Sequence, residues 1–559
     1  MVFLYAIHFV LLGFLIGPFD YDHLSGYYEL AWRFWRTGGG LPEYNPYLCG
    51  GRTLGGDPQI PIFSPLTLLV PLLGATLAIK LELVAQLSLG VYGLRGWLRL
   101  LGASPNGVRW GTLLYVAGGG VVARFLVGHV TMGFFLLMPL FFYLSYCIDE
   151  SRGRNKQRLL IGYFALFGYA ALYKPNFLIH FVPIVIIEHI ARSILKKRPG
   201  ILLWFVGGTA FATLLSAVTW LPAWKYFLDF PRLQPAQGAF FPPYTWILSL
   251  LLPIRAIPNS LYGNFFLQRH EYNVFVTPVA LVFAYWGLCL ENQRRSAETR
   301  ALVLFLIFSA WLGFGSISGP WARLFPYHWF SEFWPGFSSI RAPVRFWYGT
   351  YVVLIVLSAV GWREPKHRSW KVAWILLGVL PLLGSATFLL SKTTFDAHAT
   401  QWSHPRIYPD TISWVEGGPD DSYQALRQGQ GVLKCLYNIE TFPSPDLVLG
   451  NTLSYALSAP GDIHLKWLGW NRIQIDAKST ASGFSVRLNL NHSPYWHFKG
   501  QGGEITSRLN SLLTISSAQP ELHGQLVYEQ PLVPLAAAIS GVSLLAFLFL
   551  SILLWRRDR

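Results

Sequence analysis

The sequence predicts a mostly α-helical, polytopic membrane protein with an external β-sandwich domain before its last membrane span. Of its 559 residues, 53% are hydrophobic and only 13% are charged, whereas soluble domains carry about 25% charged residues. Apolar stretches of about 20 residues recur along the chain and return at its C-terminal end. Residues 391–529 are polar and rich in turn formers, with alternating apolar positions. Together these observations exclude a soluble enzyme, a disordered protein and a small disulfide scaffold.

The helical bundle is predicted from roughly a dozen apolar runs that are long enough to cross a bilayer. The candidate spans begin near Val2, Ala75, Val108, Thr131, Leu159, Phe177, Ile201, Tyr272, Ala301, Val344, Trp370 and Leu532. The first run, Met1 to Pro18, has neither a basic n-region nor a small-residue cleavage site, so we expect it to be retained as a span. We therefore divide the chain into a membrane module of about 12 spans (1–390), an external domain (391–530), and a final span with a basic cytoplasmic tail (531–559).

Orientation is predicted from the positive charge. The chain has 44 basic and 28 acidic residues, a net charge of +16, and the basic residues gather in short segments between apolar runs. These segments are 152–158, 192–198, 294–300, 363–371 and 556–559. The positive-inside rule assigns them to the cytoplasm. We expect a protein of the bacterial cytoplasmic (inner) membrane, with a functional site facing outward and no nucleic-acid partner.

The external domain is predicted as a β-sandwich because period-2 alternation marks half-buried strands. Such stretches occupy 472–476, 484–490, 512–516 and 524–528, and the segment is long enough for a core of its own. The cysteines, at 49, 147, 289 and 435, show neither metal-ligand spacing nor a disulfide framework. A bridge from Cys49 to Cys435 would join two external segments, but two free thiols are the favoured interpretation.

The first external loop, residues 19–61, carries the most informative acids. Leu24 to Trp35 has apolar and aromatic residues at helical spacing, which predicts an amphipathic helix lying on the bilayer surface. Asp20 and Asp22 precede it. Asp22 is either a cap for the first N–H groups of that helix or a functional acid, and the spacing alone favours neither. Asp57 lies between a glycine and a proline, a setting that is more typical of a turn than of a catalytic residue.

Several motifs follow one another in a particular order. An apolar run, an acid and an amphipathic helix lead into NPYLCGGRTLGGDPQIPIFSPLTLL from Asn45, followed by HEYNVFVTPVALVFAYWGL from His270 and FSSIRAPVRFW from Phe337. The pieces NRIQI, NHSPYWHF and QLVYEQP then precede the last apolar run. Over nearly its whole length the chain resembles YfhO-like bacterial membrane proteins of the GT-C glycosyltransferase superfamily. It departs from that family at 493–503, where the turns and strands expected of the family are incomplete. It also has no recognisable sugar-specificity motif.

The resemblance implies a GT-C-like fold and an enzyme that moves a sugar, with inversion, from a polyprenyl-phosphate carrier to a cell-envelope glycan or protein on the outer side. That reaction requires a general base for the acceptor hydroxyl and positive charge for the departing phosphate. By this resemblance Asp22 is the base. Asp57 is the second catalytic candidate, as an acceptor-binding carboxylate or as a ligand of a divalent cation, for which two aspartates are weak evidence.

Candidates for holding the phosphate are basic residues near the predicted outer face. Arg341 and Arg345 lie four residues apart at the outer end of a span, where two guanidinium groups can grip one phosphate. Snorkelling to lipid headgroups is an equal alternative before the resemblance is considered. Lys174 and Arg124 are weaker candidates of the same type.

Candidates for binding the substrate are Glu271 and Tyr272, within the EYN piece, and His129. A histidine at the end of a span is more often a satisfied interface residue than a ligand-binding one. Two functions of other classes compete with the transferase: a transporter or flippase of lipid-linked glycans, and a non-enzymatic scaffold for envelope assembly. A transporter should place ionisable residues within the bilayer and show repeat symmetry, and the sequence makes neither evident.

Overall fold

The computed structural model describes the following residues, which make up most of the chain. They are residues 5–8, 15–16, 20–37, 41, 43–54, 61–174, 176–229, 240–253, 271, 273–290, 296–317, 319–334, 336–340, 342–364, 367–395, 398–399, 413–416, 422–433, 444–450, 455–508 and 511–556.

The chain is mostly helical, as predicted. The helices are α1 (Asp20–Thr37), α2 (Val70–Leu73), α3 (Ala75–Leu100), α4 (Pro105–Ala117), α5 (Gly119–Val127), α6 (Met138–Glu150), α7 (Gly153–Tyr173), α8 (Asn176–Lys196), α9 (Gly200–Leu215), α10 (Ala217–Asp229), α11 (Pro243–Leu251), α12 (Pro278–Cys289), α13 (Ala297–Gly313), α14 (Pro326–Phe333), α15 (Trp347–Val360), α16 (Arg368–Trp374), α17 (Leu380–Phe395), α18 (Ser422–Arg427) and α19 (Val533–Arg556). Short 3₁₀ segments lie at Pro65–Leu69, Val130–Phe135, Pro320–Leu324, Phe337–Ser339 and Pro343–Phe346, and a π-helical turn at Ile375–Val379 joins α16 to α17.

Within the described part of the chain, six helices are long and apolar enough to cross a membrane. They are Ala75–Leu100, Pro105–Val127, Asn176–Lys196, Pro343–Val360, Arg368–Ser391 and Val533–Leu554. A seventh span is added if Gly200–Leu215 and Ala217–Tyr226, which are bent by 72° at their junction, are counted as one. The structure is therefore compatible with an integral membrane protein.

About twelve spans were predicted, and several of the predicted runs form helices that fall short of a span. The run from Thr131 begins as a 3₁₀ segment and continues as α6, which has 13 residues. At ~1.5 Å per residue such a helix covers roughly 20 Å, less than the hydrocarbon core of about 30 Å. The helix α7 is long enough, with 21 residues, but its first turns carry Arg154, Lys156 and Arg158. Within the described residues, six of the predicted runs therefore form helices of spanning length, or seven when the bent pair is counted as one.

The C-terminal part is rich in β-structure, as expected. The strands are β1 (Leu15–Ile16), β2 (Tyr44–Asn45), β3 (Arg52–Thr53), β4 (His398–Ala399), β5 (Ser413–Val415), β6 (Gln430–Val432), β7 (Tyr455–Leu457), β8 (Gly461–Gly469), β9 (Arg472–Ser479), β10 (Phe484–Asn491), β11 (Trp496–Gln501), β12 (Gly503–Ile505), β13 (Leu512–Ser517) and β14 (Glu521–Tyr528). Two four-stranded antiparallel sheets have the orders β12-β13-β10-β7 and β11-β14-β9-β8. The period-2 stretches correspond to β9, β10, β13 and β14. In β9 the side chains of Ile473, Ile475 and Ala477 are buried, so alternation predicted the buried face.

The first loop and the β-rich region are joined by backbone hydrogen bonds. The N–H of Cys49 donates to the Val432 carbonyl over 2.8 Å, and the N–H of Val432 donates to the Tyr47 carbonyl over 3.0 Å. The N–H of Asn491 donates to the Gly50 carbonyl over 2.7 Å. The loop needs a glycine next, at Gly51, because a Cβ there would lie 1.8 Å from the Tyr44 hydroxyl at a φ of 95°.

Side chains strengthen the same junction. The ring of Tyr44 lies 4.9 Å from the rings of both Trp496 and Tyr528, and the N–H of Glu43 donates to Asn471 Oδ1 over 3.1 Å. Cys49 is disulfide-bonded, so the interpretation of this residue as a free thiol is wrong, whereas Cys147 and Cys289 are free. Cys435 lies outside the described residues.

The predicted amphipathic helix exists but begins earlier and is more deeply buried than a helix lying on the bilayer surface. It starts at Asp20, so that Asp22 lies in its first turn, and residues 21–28 are all buried. It packs against α3 and against α18. The Tyr21 hydroxyl donates to the Phe125 carbonyl over 2.6 Å. This helix is therefore enclosed between α3 and α18.

Glu43 makes this junction sensitive to pH. Burial raises the pKa of Glu43 from 4.5 to about 7, against the lowering effect of the hydrogen bond from the Gln530 N–H. A carboxyl with a raised pKa contributes stability that is fully present below pH 4.5 and is lost as the pH rises through about 7. We expect the melting temperature of the purified protein to fall over this range, and Glu43→Gln to remove part of the fall. The control is Glu504→Gln at an exposed site on β12; equal pH dependence of wild type and Glu43→Gln would contradict the assignment.

Candidate functional site

Four of the predicted site residues come together around one carboxylate, that of Glu271. Arg345 Nε donates to Glu271 Oε2 over 2.8 Å, and its Nη2 donates to Oε1. Arg124 Nη1 lies 3.7 Å from the same Oε2. The second acceptor of Arg124 is His129, whose Nδ1 lies 3.1 Å from Nη1. We call Arg124, His129, Glu271 and Arg345 the arginine cluster.

The arginine cluster carries more positive than negative charge in a buried place. The side chains of Arg124, Glu271 and Arg345 are 4%, 3% and 14% exposed. An arginine has only donors, so the Nδ1 of His129 accepts from Arg124. Two guanidinium groups thus share one carboxylate. Within the described residues Arg124 Nε has no hydrogen-bond partner, and a guanidinium N–H is a donor whose geometry suits an anionic acceptor.

Close backbone packing places Glu271 beside Arg124. The extended segment from Asn273 to Thr277 runs along the beginning of α5, where the N–H of Gly119 donates to the Phe275 carbonyl over 2.9 Å. A Cβ at position 119 would lie 1.7 Å from Asn273 Oδ1, so only glycine allows this approach. Arg345 lies in the 3₁₀ segment that leads into α15. Three separate parts of the chain therefore build the cluster.

His180 on α8 adjoins the arginine cluster, although its sequence position did not single it out. It is buried and lies within electrostatic range of Arg345, Glu271 and Arg124. Its Nδ1 lies 3.1 Å from the Asn176 carbonyl and must donate to it. The ring packs against Phe346, with ring centroids 5.9 Å apart.

Asp22 is buried and caps a distant helix. The backbone N–H of Tyr423, in the first turn of α18, donates to Asp22 Oδ1 over 2.8 Å. The cap predicted for Asp22 was for its own helix, in whose first turn it lies, whereas the bond from Tyr423 caps α18. Its neighbour Tyr21 packs on Gly128, where a Cβ would lie 2.8 Å from the ring. Since Gly128 precedes His129, the beginning of α1 lies next to the segment that carries Arg124 and His129.

Lys174 is buried but belongs to a second group centred on Glu82. Glu82 accepts from the Ser64 hydroxyl over 2.8 Å, from Gln86 Nε2 over 3.1 Å and from the Tyr28 hydroxyl. Lys174 lies within electrostatic range of Glu82. This glutamate was not predicted, and it places a carboxylate within the helix Ala75–Leu100.

A third buried group lies near the middle of α8. Glu188 pairs with Arg192 over 3.0 Å, both side chains being 0% exposed, and the guanidinium stacks over Tyr146 at 4.0 Å. His189 Nε2 lies 3.0 Å from the Ser145 hydroxyl. Our interpretation that ionisable residues are not evident within the spans is therefore wrong. A charged residue inside an apolar run is itself a signal of a site, and it would have indicated Glu82 and Glu188.

Three predicted site residues, Asp57, Arg341 and Tyr272, lie outside the described residues. Among the residues that are described, no group of three or more His, Cys, Asp or Glu side chains is arranged to hold a metal ion. Comparison of the sequence with protein-family models and with curated proteins found no match.

The shared carboxylate predicts an unequal effect of two substitutions. Glu271→Gln removes the counter-charge that two buried cations share, and we expect it to lower the free energy of unfolding by about 3–5 kcal/mol. Arg345→Gln should cost less, because Arg124 still neutralises Glu271. Denaturation in mixed micelles measures both. Glu521→Gln, which breaks an exposed pair with Lys478, should change nothing measurable. Equal costs for Glu271→Gln and Arg345→Gln would contradict the shared pairing.

Proposed function

We propose that this protein is a membrane glycosyltransferase that moves a sugar from a polyprenyl-phosphate carrier to a cell-envelope acceptor on the outer face of the bacterial cytoplasmic membrane, with inversion. The arginine cluster is the observation that carries the proposal. It combines excess buried positive charge with a position at the ends of two membrane-spanning helices, Pro105–Val127 and Pro343–Val360. A lipid phosphate at the membrane surface fits such a place. The resemblance to GT-C enzymes supports the same assignment.

The chemistry requires one bond to form and one to break. The acceptor hydroxyl oxygen attacks the anomeric carbon, the bond from that carbon to the phosphate oxygen breaks, and the phosphate leaves with the electron pair. Arg124 and Arg345 stabilise the charge that develops on the phosphate. The hydroxyl proton passes to the Asp22 carboxylate, which uses one oxygen for the Tyr423 N–H. A carboxylate has enough acceptor sites for both tasks.

The proposed topology has the first loop and the β-rich region outside. The basic segments between the helices favour a cytoplasmic position for the opposite ends. Cys49, in the first loop, is disulfide-bonded, and disulfides persist in oxidising compartments such as the outer side of a bacterial membrane. We further propose that the two four-stranded sheets pack as a sandwich, and that short helices such as α6 and α13 complete a bundle of about 12 spans.

A transporter or flippase of lipid-linked glycans is the second candidate, favoured by the buried Glu188–Arg192 pair. Ionisable residues inside membrane helices often line a substrate or proton path. Flux of a lipid-linked glycan across liposomes without a covalent product would favour this function over the transferase.

Replacing Asp22 separates the two candidates and the two roles of this residue. In Asp22→Asn the amide oxygen still accepts from the Tyr423 N–H, so the cap of α18 remains, whereas the base is lost. We expect sugar transfer to fall ~10²–10⁴-fold with an unchanged melting temperature. Asp22→Ala should also lose the cap, worth about 1 kcal/mol.

Transfer is measured with purified protein in nanodiscs, a polyprenyl-phosphoryl sugar and an envelope acceptor fraction. Asp462→Asn, at an exposed site on β8, is the matched control and should leave the rate unchanged. Near-normal transfer by Asp22→Asn would remove Asp22 from the base role. Absence of transfer by the wild type, together with flux across liposomes, would replace the transferase by the transporter.

Replacing Arg345 tests the phosphate site. Arg345→Gln removes charge-assisted hydrogen bonds, and we expect a KM for the lipid-linked donor that is higher by roughly 10- to 100-fold. Arg345→Lys should recover part of the loss, because it restores the charge but not the planar fork. Arg487→Gln, exposed on β10, is the control. A donor KM that does not change in Arg345→Gln would exclude this arginine from phosphate binding.

A further inference from the structure

Two buried side chains, Gln86 in the Glu82 group and His180 beside the arginine cluster, have polar atoms without a partner. Within the described residues, Gln86 Oε1 and His180 Nε2 form no hydrogen bond. Both side chains are buried, with Gln86 3% and His180 4% exposed. A buried polar atom left without a partner costs stability, of the order of 1–3 kcal/mol, so each of these atoms calls for an explanation.

Chemistry fixes both atoms as acceptors. The amide nitrogen of Gln86 points at the Glu82 carboxylate over 3.1 Å, and the reversed amide would set its oxygen against that anion. Its oxygen is therefore the atom without a partner. In the same way His180 Nδ1 faces the Asn176 carbonyl over 3.1 Å and must donate. The Nε2 of the neutral ring then has a lone pair to offer.

The two acceptors flank one short segment that also leads to the arginine cluster. A Cβ on Gly133 would lie 1.7 Å from Gln86 Oε1, so this oxygen sits against Gly133. The ring of the next residue, Phe134, lies 6.4 Å from the His180 ring. The 3₁₀ segment Val130–Phe135 follows His129 directly, and four residues of 3₁₀ helix rise ~8 Å. Gly133, against which Gln86 Oε1 packs, is therefore about 8 Å along this segment from His129 of the cluster.

We propose that Gln86 and His180 bind hydroxyl groups of the sugar whose phosphate the arginine cluster holds. Acceptor atoms without partners favour a ligand that has hydrogen-bond donors. The excess positive charge of the arginine cluster favours an anionic ligand. A phosphorylated sugar offers both. The inference rests on the proposed function for its ligand, and it adds the residues that distinguish a glycosylated carrier from the bare lipid phosphate.

The test compares binding of four kinds of probe to the protein in nanodiscs. The probes are bare polyprenyl phosphate, polyprenyl phosphate carrying glucose, mannose or N-acetylglucosamine, the corresponding soluble sugar 1-phosphates, and glucose alone. We expect the wild type to bind at least one glycosylated carrier more tightly than the bare carrier. A sugar 1-phosphate that competes as well as the lipid-linked form would identify a soluble ligand of the same chemistry.

Each variant either removes or keeps the hydrogen-bond acceptor of Gln86 or His180 while roughly preserving the shape of the side chain. Gln86→Met and His180→Phe should each weaken the preference for the glycosylated carrier by about 5-fold, the value of one neutral hydrogen bond, and leave affinity for the bare carrier unchanged. His180→Gln keeps an acceptor and should retain more of the preference. Gln525→Met, on β14 in the β-rich region, is the control.

The outcomes distinguish this inference from the proposed function. If the wild type binds glycosylated and bare carriers equally, or if both apolar variants keep the full preference, the sugar site is excluded while the phosphate site stands. If the wild type binds neither carrier, the arginine cluster is not a lipid-phosphate site, and both proposals fall together.

Discussion

The pairing of two buried arginines with Glu271 is the interaction on which the arrangement of the site depends. It ties together α5, the segment that follows Glu271, and the 3₁₀ segment before α15. Two buried cations with no anion would be costly, and one carboxylate shared between them lowers that cost without cancelling the charge. The remaining charge is the property that makes the cluster suitable for a phosphate. The structure of the site and its proposed function therefore both depend on the excess of positive over negative charge in the arginine cluster.

The first loop links this cluster to the β-rich region. One end of α1 is fixed to α5 through the Tyr21 hydroxyl, and the same turn caps α18 through Asp22. Residues 43–54 of the first loop also contact the β-rich region, at β6, β10 and β14. The β-rich region is thus held against the loop that carries the candidate base. It is a structural support of the site, and its removal would free both the loop and α18.

Helices and strands could be predicted from the sequence because their patterns are local. The apolar run from Ala75 became α3, and the alternation from Arg472 became β9. The site could be predicted only in part. Glu271 and Arg345 were recognised individually, but their pairing joins residues 74 positions apart, and the Asp22 contact with Tyr423 joins residues 401 positions apart. Contacts at such separations depend on packing, which no local pattern encodes. His180 and Gln86 were missed because they lie inside apolar runs.

The distribution of donors and acceptors also bears on the order of events at the site. The arginine cluster offers donors and charge, which attract a phosphate over several ångströms, whereas Gln86 Oε1 and His180 Nε2 act only at hydrogen-bond distance. A phosphorylated sugar would therefore be captured by its phosphate and oriented afterwards by its hydroxyl groups. Orientation of the sugar decides which face of the anomeric carbon the acceptor meets, and inversion follows when the phosphate is held on the opposite side. In the proposed function, the neutral acceptors would orient the sugar that the charges hold by its phosphate.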